Sequence, residues 1–274
     1  MNNRKKKTIV SSSQISLALF SLLLSLIPEE CFKCIRLLKN CSDWTNIIVN
    51  RLILLLIIFA VVYFSCFLFF ALRKRVSISE ANSVIQIEYG DILAINKGKK
   101  IINFDECYTT TVGEKPGEIK PESLCGQYLE KHPELDIQEL IHEAGVEPED
   151  KGSIFKNKVR YKSGTIVPYG NDLLMAFARL DENGRATMTY NQYLDCLNVL
   201  WKQINIFHGT SDVYVPVLGS NITQITNDLT QQQLLDIMIG SYRLYLKRMR
   251  RPYKLHIVCK RREGFSLNDV FGIR

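Results

Sequence analysis

Histidine is scarce in this 274-residue chain, and the four present (His132, His142, His208 and His256) are dispersed. None pairs with another at a metal-ligand spacing, so the sequence offers no histidine-based metal centre, and each reads as a surface or core residue. Internal repeats and low-complexity stretches are also missing, which excludes solenoid and disordered classes. The net charge of +7 is not spread along the chain. Through Arg75 there are 11 Lys and Arg against 3 Asp and Glu, a balance of +8; from Val76 onward the count is 24 against 25. The larger part is therefore neutral and gives no electrostatic case for binding nucleic acid. The eight cysteines form no single framework. Cys66, Cys107, Cys125, Cys196 and Cys259 sit singly in apolar segments, as reduced residues do. Cys31, Cys34 and Cys41 cluster without a histidine or a fourth cysteine nearby. Zinc, a disulfide and plain loop cysteines are the readings open to them, the last being preferred.

What is present is organised around residues 52–72, which hold no charge, no proline and no glycine. About 20 such residues are what a helix needs to cross a hydrocarbon core, and no soluble-domain helix requires apolar residues on every face for so long. Arg51 and Arg73-Lys74-Arg75 flank the run as interfacial anchors. A second, serine-interrupted apolar run covers 9–27 behind the basic tail Arg4 to Lys7. A signal peptide also begins this way, but no small-x-small cleavage site precedes Pro28, and a first transmembrane helix is the better reading. Its serines can bond back to their own helix or, as in Ser21-xxx-Ser25, pack closely on a neighbour. The positive-charge bias places both termini in the cytoplasm. The segment joining the two runs is amphipathic around 31–38.

Residues 1–78 thus form a basic tail and helical hairpin, and 79–274 one α/β domain with helices around a mixed sheet. Strands are expected at 83–88, from 92 to 95, at 100–104, as a pair at 164–169 and 173–180, at 213–218 and at 255–259. Helices are expected at 136–144, 190–206 and 230–247.

The segment richest in chemistry runs from Pro216 to Thr223, where an apolar strand enters a Gly-Ser-Asn turn ahead of a helix. Such a turn exposes consecutive N–H groups that bind phosphate. Gly90-Asp91, also after a strand, is by itself a turn dipeptide. Cys125 beside Gly126 is a formal nucleophile candidate, but no histidine is placed to activate it and packing is preferred. Asp181 to Gly184 reads as a turn rather than a calcium loop. The basic runs 247–251 and 260–262 read as solvated element ends or contacts to anionic lipid.

Together, these segments and their order resemble a macro domain. More closely, 123–128 (SLCGQY), 161–167 (YKSGTIV), 174–181 (LMAFARLD), 193–201 (YLDCLNVLW) and 215–223 are similar to the macro-like domain of Thoeris antiphage effectors. The double apolar segment ahead of them resembles the membrane-anchored type. The resemblance implies a three-layer α/β/α domain binding an ADP-ribose derivative, an amino-acid or cyclic adduct. Asp91 would accept a hydrogen bond from the adenine and Ile92 would line it. Ser123, Cys125, Gly126 and Gln127 would lie beside the diphosphate. Leu218, Gly219, Ser220, Asn221, Ile222 and Thr223 would form the second phosphate loop, with Asn221 in place of the usual glycine. Asn103 falls near the asparagine of hydrolytic macro domains, but 104–108 (FDECY) replaces their glycine-rich loop, which favours binding without catalysis. The implied role is a receptor for a messenger made by a partner TIR-domain enzyme, with self-association, membrane disruption and growth arrest on activation. A membrane-tethered ADP-ribosyl hydrolase or NAD-processing enzyme is the alternative, and an anchor carrying a non-binding domain the third.

Overall fold

The computed structural model describes residues 3–34, 42–80, 83–220, 223–225, 229–246 and 253–270. It divides into two compact units, Met1–Arg73 and Lys74–Arg274.

The first unit holds α1 (Asn3–Leu26), α2 (Glu29–Cys34) and α3 (Asp43–Leu72). Ser42 caps α3 by accepting from the Thr45 N–H at 3.3 Å, and Asp43 complements the positive end of the helix. At 1.5 Å per residue, α3 is about 45 Å long, more than the roughly 30 Å of a hydrocarbon core. Both α3 and Thr8–Leu26 of α1 are long and apolar enough to cross a membrane. α1 packs on α3, and the unit buries Thr8, Ser12 and Ser16 of α1 and Asn46, Ile47 and Asn50 of α3. Spacing of four residues puts Thr8, Ser12 and Ser16 on one helix face. Ser21 and Ser25, the pair singled out by the sequence, are exposed in this unit. Ser25 instead bonds back to the Leu22 carbonyl at 2.7 Å. The Asn50 amide donates to the Phe32 carbonyl at 2.8 Å, and Arg51 pairs with Glu29 at 2.9 Å, tying α2 to α3. Cys41 lies outside the described residues, as does the Cys34 side chain.

The second unit is built on one sheet. Its strands are β1 (Arg75–Glu80), β2 (Ser83–Tyr89), β3 (Lys99–Asp105), β4 (Ile166–Tyr169), β5 (Asp172–Leu180), β6 (Ala186–Met188), β7 (Val213–Pro216), β8 (Gln224–Ile225) and β9 (Leu255–Cys259). They lie in the order β1-β2-β9-β7-β3-β5-β6-β8, with β4 also on β5. The central five, β2, β9, β7, β3 and β5, are mutually parallel; β1 runs antiparallel to β2, β4 and β6 run antiparallel to β5, and β8 runs parallel to β6. The side-chain alternation of β5 shows why both faces are covered. Leu173, Met175 and Phe177 join the core under α6 (Tyr190–Phe207) and α7 (Gln231–Leu246). Leu174 and Ala176 join a second core under α4 (Leu124–Lys131) and α5 (Ile137–Glu143). A parallel strand buried on both faces reads as a continuous apolar run, as β5 does. Thr189 and Gln192 form a capping box that starts α6. The Trp201 indole then donates to Ser241 at 3.0 Å and packs edge-on against Tyr242, fixing α6 to α7.

Several local expectations change. The run from 92 to 95 is not extended but a 3-10 turn, Ile92–Ala94, because the Asp91 carboxylate accepts from the Leu93 N–H at 3.0 Å and closes the chain there. The strand 213–218 stops at Pro216. The boundary placed after 78 falls inside β1, whose Val76 and Ile78 point into the core while Arg75 and Ser77 stay exposed. That alternation was masked by the adjoining basic triplet. The sequence reading also lacked α4, β6 and β8.

Candidate functional site

Because the central strands are parallel, the segments that follow them emerge at one edge of the sheet. Gly90 follows β2, Lys260 and Arg262 follow β9, the turn at Gly219 follows β7, Asp105 ends β3, and Asn183 to Arg185 follow β5. All of these line one cavity of about 440 Å³, which the first turn of α4 and residues 114–120 complete. That volume lies within the range of small-molecule sites, roughly 300–1,000 Å³.

The turn after β7 is tightly specified. Gly219 has φ +76°, and a Cβ there would stand 2.3 Å from Ile225 Cδ1. Glycine alone meets both conditions without strain. Ser220 folds back to donate to the Val217 carbonyl at 2.8 Å, and the Arg262 guanidinium donates to the Ser220 carbonyl. Tyr193 on α6 holds the Leu218 carbonyl at 3.3 Å. The result is a backbone turn held by Arg262, in a cavity whose lining also includes Lys260. Such a combination of backbone and positive charge suits a diphosphate.

Of the residues expected from sequence, Ile92, Asn103, Ser123, Cys125, Gly219, Ser220 and Thr223 line the cavity. Asp91, Gly126 and Leu218 are chain neighbours of lining residues but not part of the wall, and Gln127 lies one residue further from it in the chain. Asn221 and Ile222 lie outside the described residues. Gly126 serves packing within the chain: a Cβ there would be 2.3 Å from the Lys120 carbonyl oxygen. Its N–H donates to the Ser123 side chain, which caps α4.

Cys125 is buried, and burial pushes its thiol well above the usual range, with the Asp105 carboxyl adding to the rise. It is a packing residue with a protonated sulfur, not an activated nucleophile. None of the four histidines lines the cavity. Two are held in aromatic contacts, His132 on Tyr128 and His208 on Tyr253, and His256 stacks on Tyr214 with Glu88 2.8 Å from its Nδ1. Among the described residues, no group of three His, Cys, Asp or Glu side chains could hold a metal ion.

Sequence reasoning missed Asp105, Lys260 and Arg262 as cavity residues. Their signal was position: each stands at or just beyond the carboxyl end of an apolar strand. Asp105 is 5% exposed, and its Oδ1 accepts from the Cys107 and Thr109 N–H groups at 2.9 and 3.0 Å. Burial raises its pKa against the lowering effect of those bonds.

The family model for the macro domain of Thoeris protein ThsA matches residues 85–260, which run from within β2 through β9 and include every cavity residue but Arg262. The chain belongs to the Thoeris ThsA macro-domain family. It is 28% identical over 235 residues to Thoeris protein ThsA of Bacillus amyloliquefaciens (strain Y2), covering 80% of this chain and 77% of that protein. Solved structures of the Oceanobacillus iheyensis macrodomain are also similar. The form with ADP is 9% identical at a TM-score of 0.43, covering 68% of this chain and 88% of that one. A mutant with ADPR is 9% identical at a TM-score of 0.44, covering 68% and 89%. For this ThsA-family chain, the family assignment rests on the sequence matches, and the mixed sheet between two helical layers agrees with it.

Proposed function

We propose that this chain is a membrane-anchored antiphage effector whose macro-domain cavity is a receptor for an ADP-ribose-derived messenger. The observation that carries the reading is the Gly219–Ser220 turn, braced by Arg262, in a cavity that also contains Lys260, Ile92, Asn103 and Ser123. The turn and the two cations hold the diphosphate, Ile92 lines the adenine, and the far wall takes the remainder. The messenger is an amino-acid or cyclic adduct of ADP-ribose made by a partner TIR-domain protein. The chain binds it without turnover: Cys125 is kept protonated by burial, and no histidine shares the cavity. The two apolar helices anchor the chain in the inner membrane with both termini cytoplasmic. Ligand binding favours an associated state, and clustered hairpins disrupt the bilayer and arrest growth. A ligand drives such a change only through a difference in affinity between the two states.

Calorimetry on the full chain in detergent micelles, titrated with ADP-ribose, NAD and amino-acid adducts of ADP-ribose, tests the receptor. Saturable binding lost in Gly219→Val, with the nucleotide recovered intact, is the expected result. Recovery of a cleaved product would move the chain to the hydrolase alternative. Light scattering and dye release from vesicles then test the membrane step; unchanged size and no leakage at saturating ligand would remove it.

A further inference from the structure

The two edges of the sheet are not alike. One is made of β4, four residues that include Pro168, and the two-residue β8. Proline and brevity are ways in which proteins keep a sheet edge from pairing with another chain. The other edge is β1, six residues in unbroken register with β2 and, among the described residues, with no strand on its outer side. It holds no proline, and its charges stand at its two ends, Lys74 and Arg75 at the start and Glu80 at the finish.

The main chain of β1 dictates what fits beside it. The Tyr89 N–H donates to the Lys74 carbonyl at 3.0 Å, so Lys74, Val76, Ile78 and Glu80 turn their main-chain groups toward β2. Alternation leaves those of Arg75, Ser77 and Ser79 pointing outward, and all three residues are exposed. An antiparallel copy of β1 centred on Ser77 satisfies all of them. Ser77 then meets Ser77 of the second copy and Arg75 meets Ser79, each pair exchanging both of its hydrogen bonds. On the face that joins the core, Val76 meets Ile78. Lys74 meets Glu80, which also receives Arg243 of α7 at 2.6 Å. A slip of two residues one way would set Glu80 against Val76, and the other way Lys74 against Ile78. A slip of one residue would turn the core face outward. The strand is self-complementary in one register.

We infer that β1 is the surface through which two copies of this chain join, sheet edge to sheet edge, about a two-fold axis at Ser77. The edge is formed whether or not the cavity is filled, so the pair exists in the ligand-free chain. The inference is therefore independent of the nucleotide reading, and it gives the association step proposed above a defined starting pair.

The test is disulfide cross-linking of the full chain in detergent, without nucleotide, using copper phenanthroline as the oxidant. Arg75→Cys, Ser77→Cys and Ser79→Cys each change an exposed side chain, so the fold should be kept. The wild type, with its exposed Cys31, reports the background. Opposite Cα atoms in such a pair lie about 5.5 Å apart, within reach of a disulfide. Ser77→Cys should therefore give a covalent dimer well above background. Arg75→Cys alone and Ser79→Cys alone should not, because like positions are then four residues out of register, about 13 Å. The two co-expressed with different tags should give the mixed dimer. Adding Ser77→Glu to both of those chains sets like charges against each other on the axis and should cut the mixed dimer several-fold. No dimer from Ser77→Cys would overturn the inference. So would equal yields from the three single variants, which mark random collision, or a mixed dimer indifferent to Ser77→Glu. Because no nucleotide is present, none of these results bears on the receptor reading, which the titrations above decide.

Discussion

The Gly117 N–H donates to the Gly184 carbonyl at 3.3 Å, joining the loop before α4 to the β5–β6 turn. Both residues have positive φ, +78° and +71°, and a Cβ on Gly184 would lie 2.4 Å from the Gly117 nitrogen. The Phe155 ring packs behind both, so close that a Cβ on Gly117 would overlap it. Two segments that line the cavity are thus held together by a contact that admits only glycine.

Replacing Gly184 with alanine should separate these loops. The left-handed backbone alone costs an alanine about 1 kcal/mol, and the overlap adds to it. The expected outcome is an unfolding midpoint lowered by a few degrees and weaker nucleotide binding, measured by differential scanning calorimetry and titration. Gly145→Ala is the control. It shares a positive φ of +60° but has nothing within 4 Å of the added Cβ, so it should lose stability without losing affinity.

Gly219→Ala should be more selective. The atom that a new Cβ meets first is the flexible end of Ile225, which can yield, but the turn conformation remains unfavourable. Stability should fall by about 1 kcal/mol while ADP-ribose affinity falls at least tenfold. Equal affinity in mutant and wild type would separate the turn from the phosphate.

Glu106 predicts a purely structural loss. It is 2% exposed and accepts from the Ser153 hydroxyl at 2.5 Å and the Leu180 N–H at 3.2 Å, with Arg160 at 3.8 Å. Glu106→Ala leaves the Ser153 hydroxyl and the Leu180 N–H unmatched, at about 1–3 kcal/mol each, while Arg160 keeps Glu149 at 2.8 Å. Denaturant titration should show that loss, and Glu106→Gln should restore part of it.

The pH dependence follows from Glu88. Burial opposes its ionisation, but hydrogen bonds from His256 and Gln86 outweigh that and lower its pKa. Its ionised form is therefore favoured in the folded chain. The stabilisation is present above the unfolded carboxylate value of about 4.3 and is lost as pH falls through the lower folded value. Glu88→Gln should flatten the acid limb of a thermal-stability profile, and an unchanged limb would assign it to other carboxylates.

The parts of the fold written in local pattern were legible. The continuous apolar run of β5, the helical spacing of Tyr193, Leu197, Leu200 and Ile204, and the Gly219 turn all declare themselves within a few residues. The cavity was not, because it gathers Asp105, Arg185, Ser220 and Arg262 from segments whose adjacency is set only by sheet order. Asp91 has a structural role that its sequence context did not declare: its Oδ1 caps its own 3-10 turn. The α1 serines illustrate the same limit, since Ser12 and Ser16 are buried in the first unit whereas Ser21 and Ser25 are exposed.

The position of β9 has a consequence for synthesis. Residues 255–259 insert between β2 and β7, so the middle of the sheet stays open until that segment has been made. Chains emerge from the ribosome amino end first, and α1 and α3 are therefore complete roughly two hundred residues earlier. Lys260 and Arg262 join the cavity only after β9. A nascent chain thus presents its apolar helices long before the cavity has all of its walls.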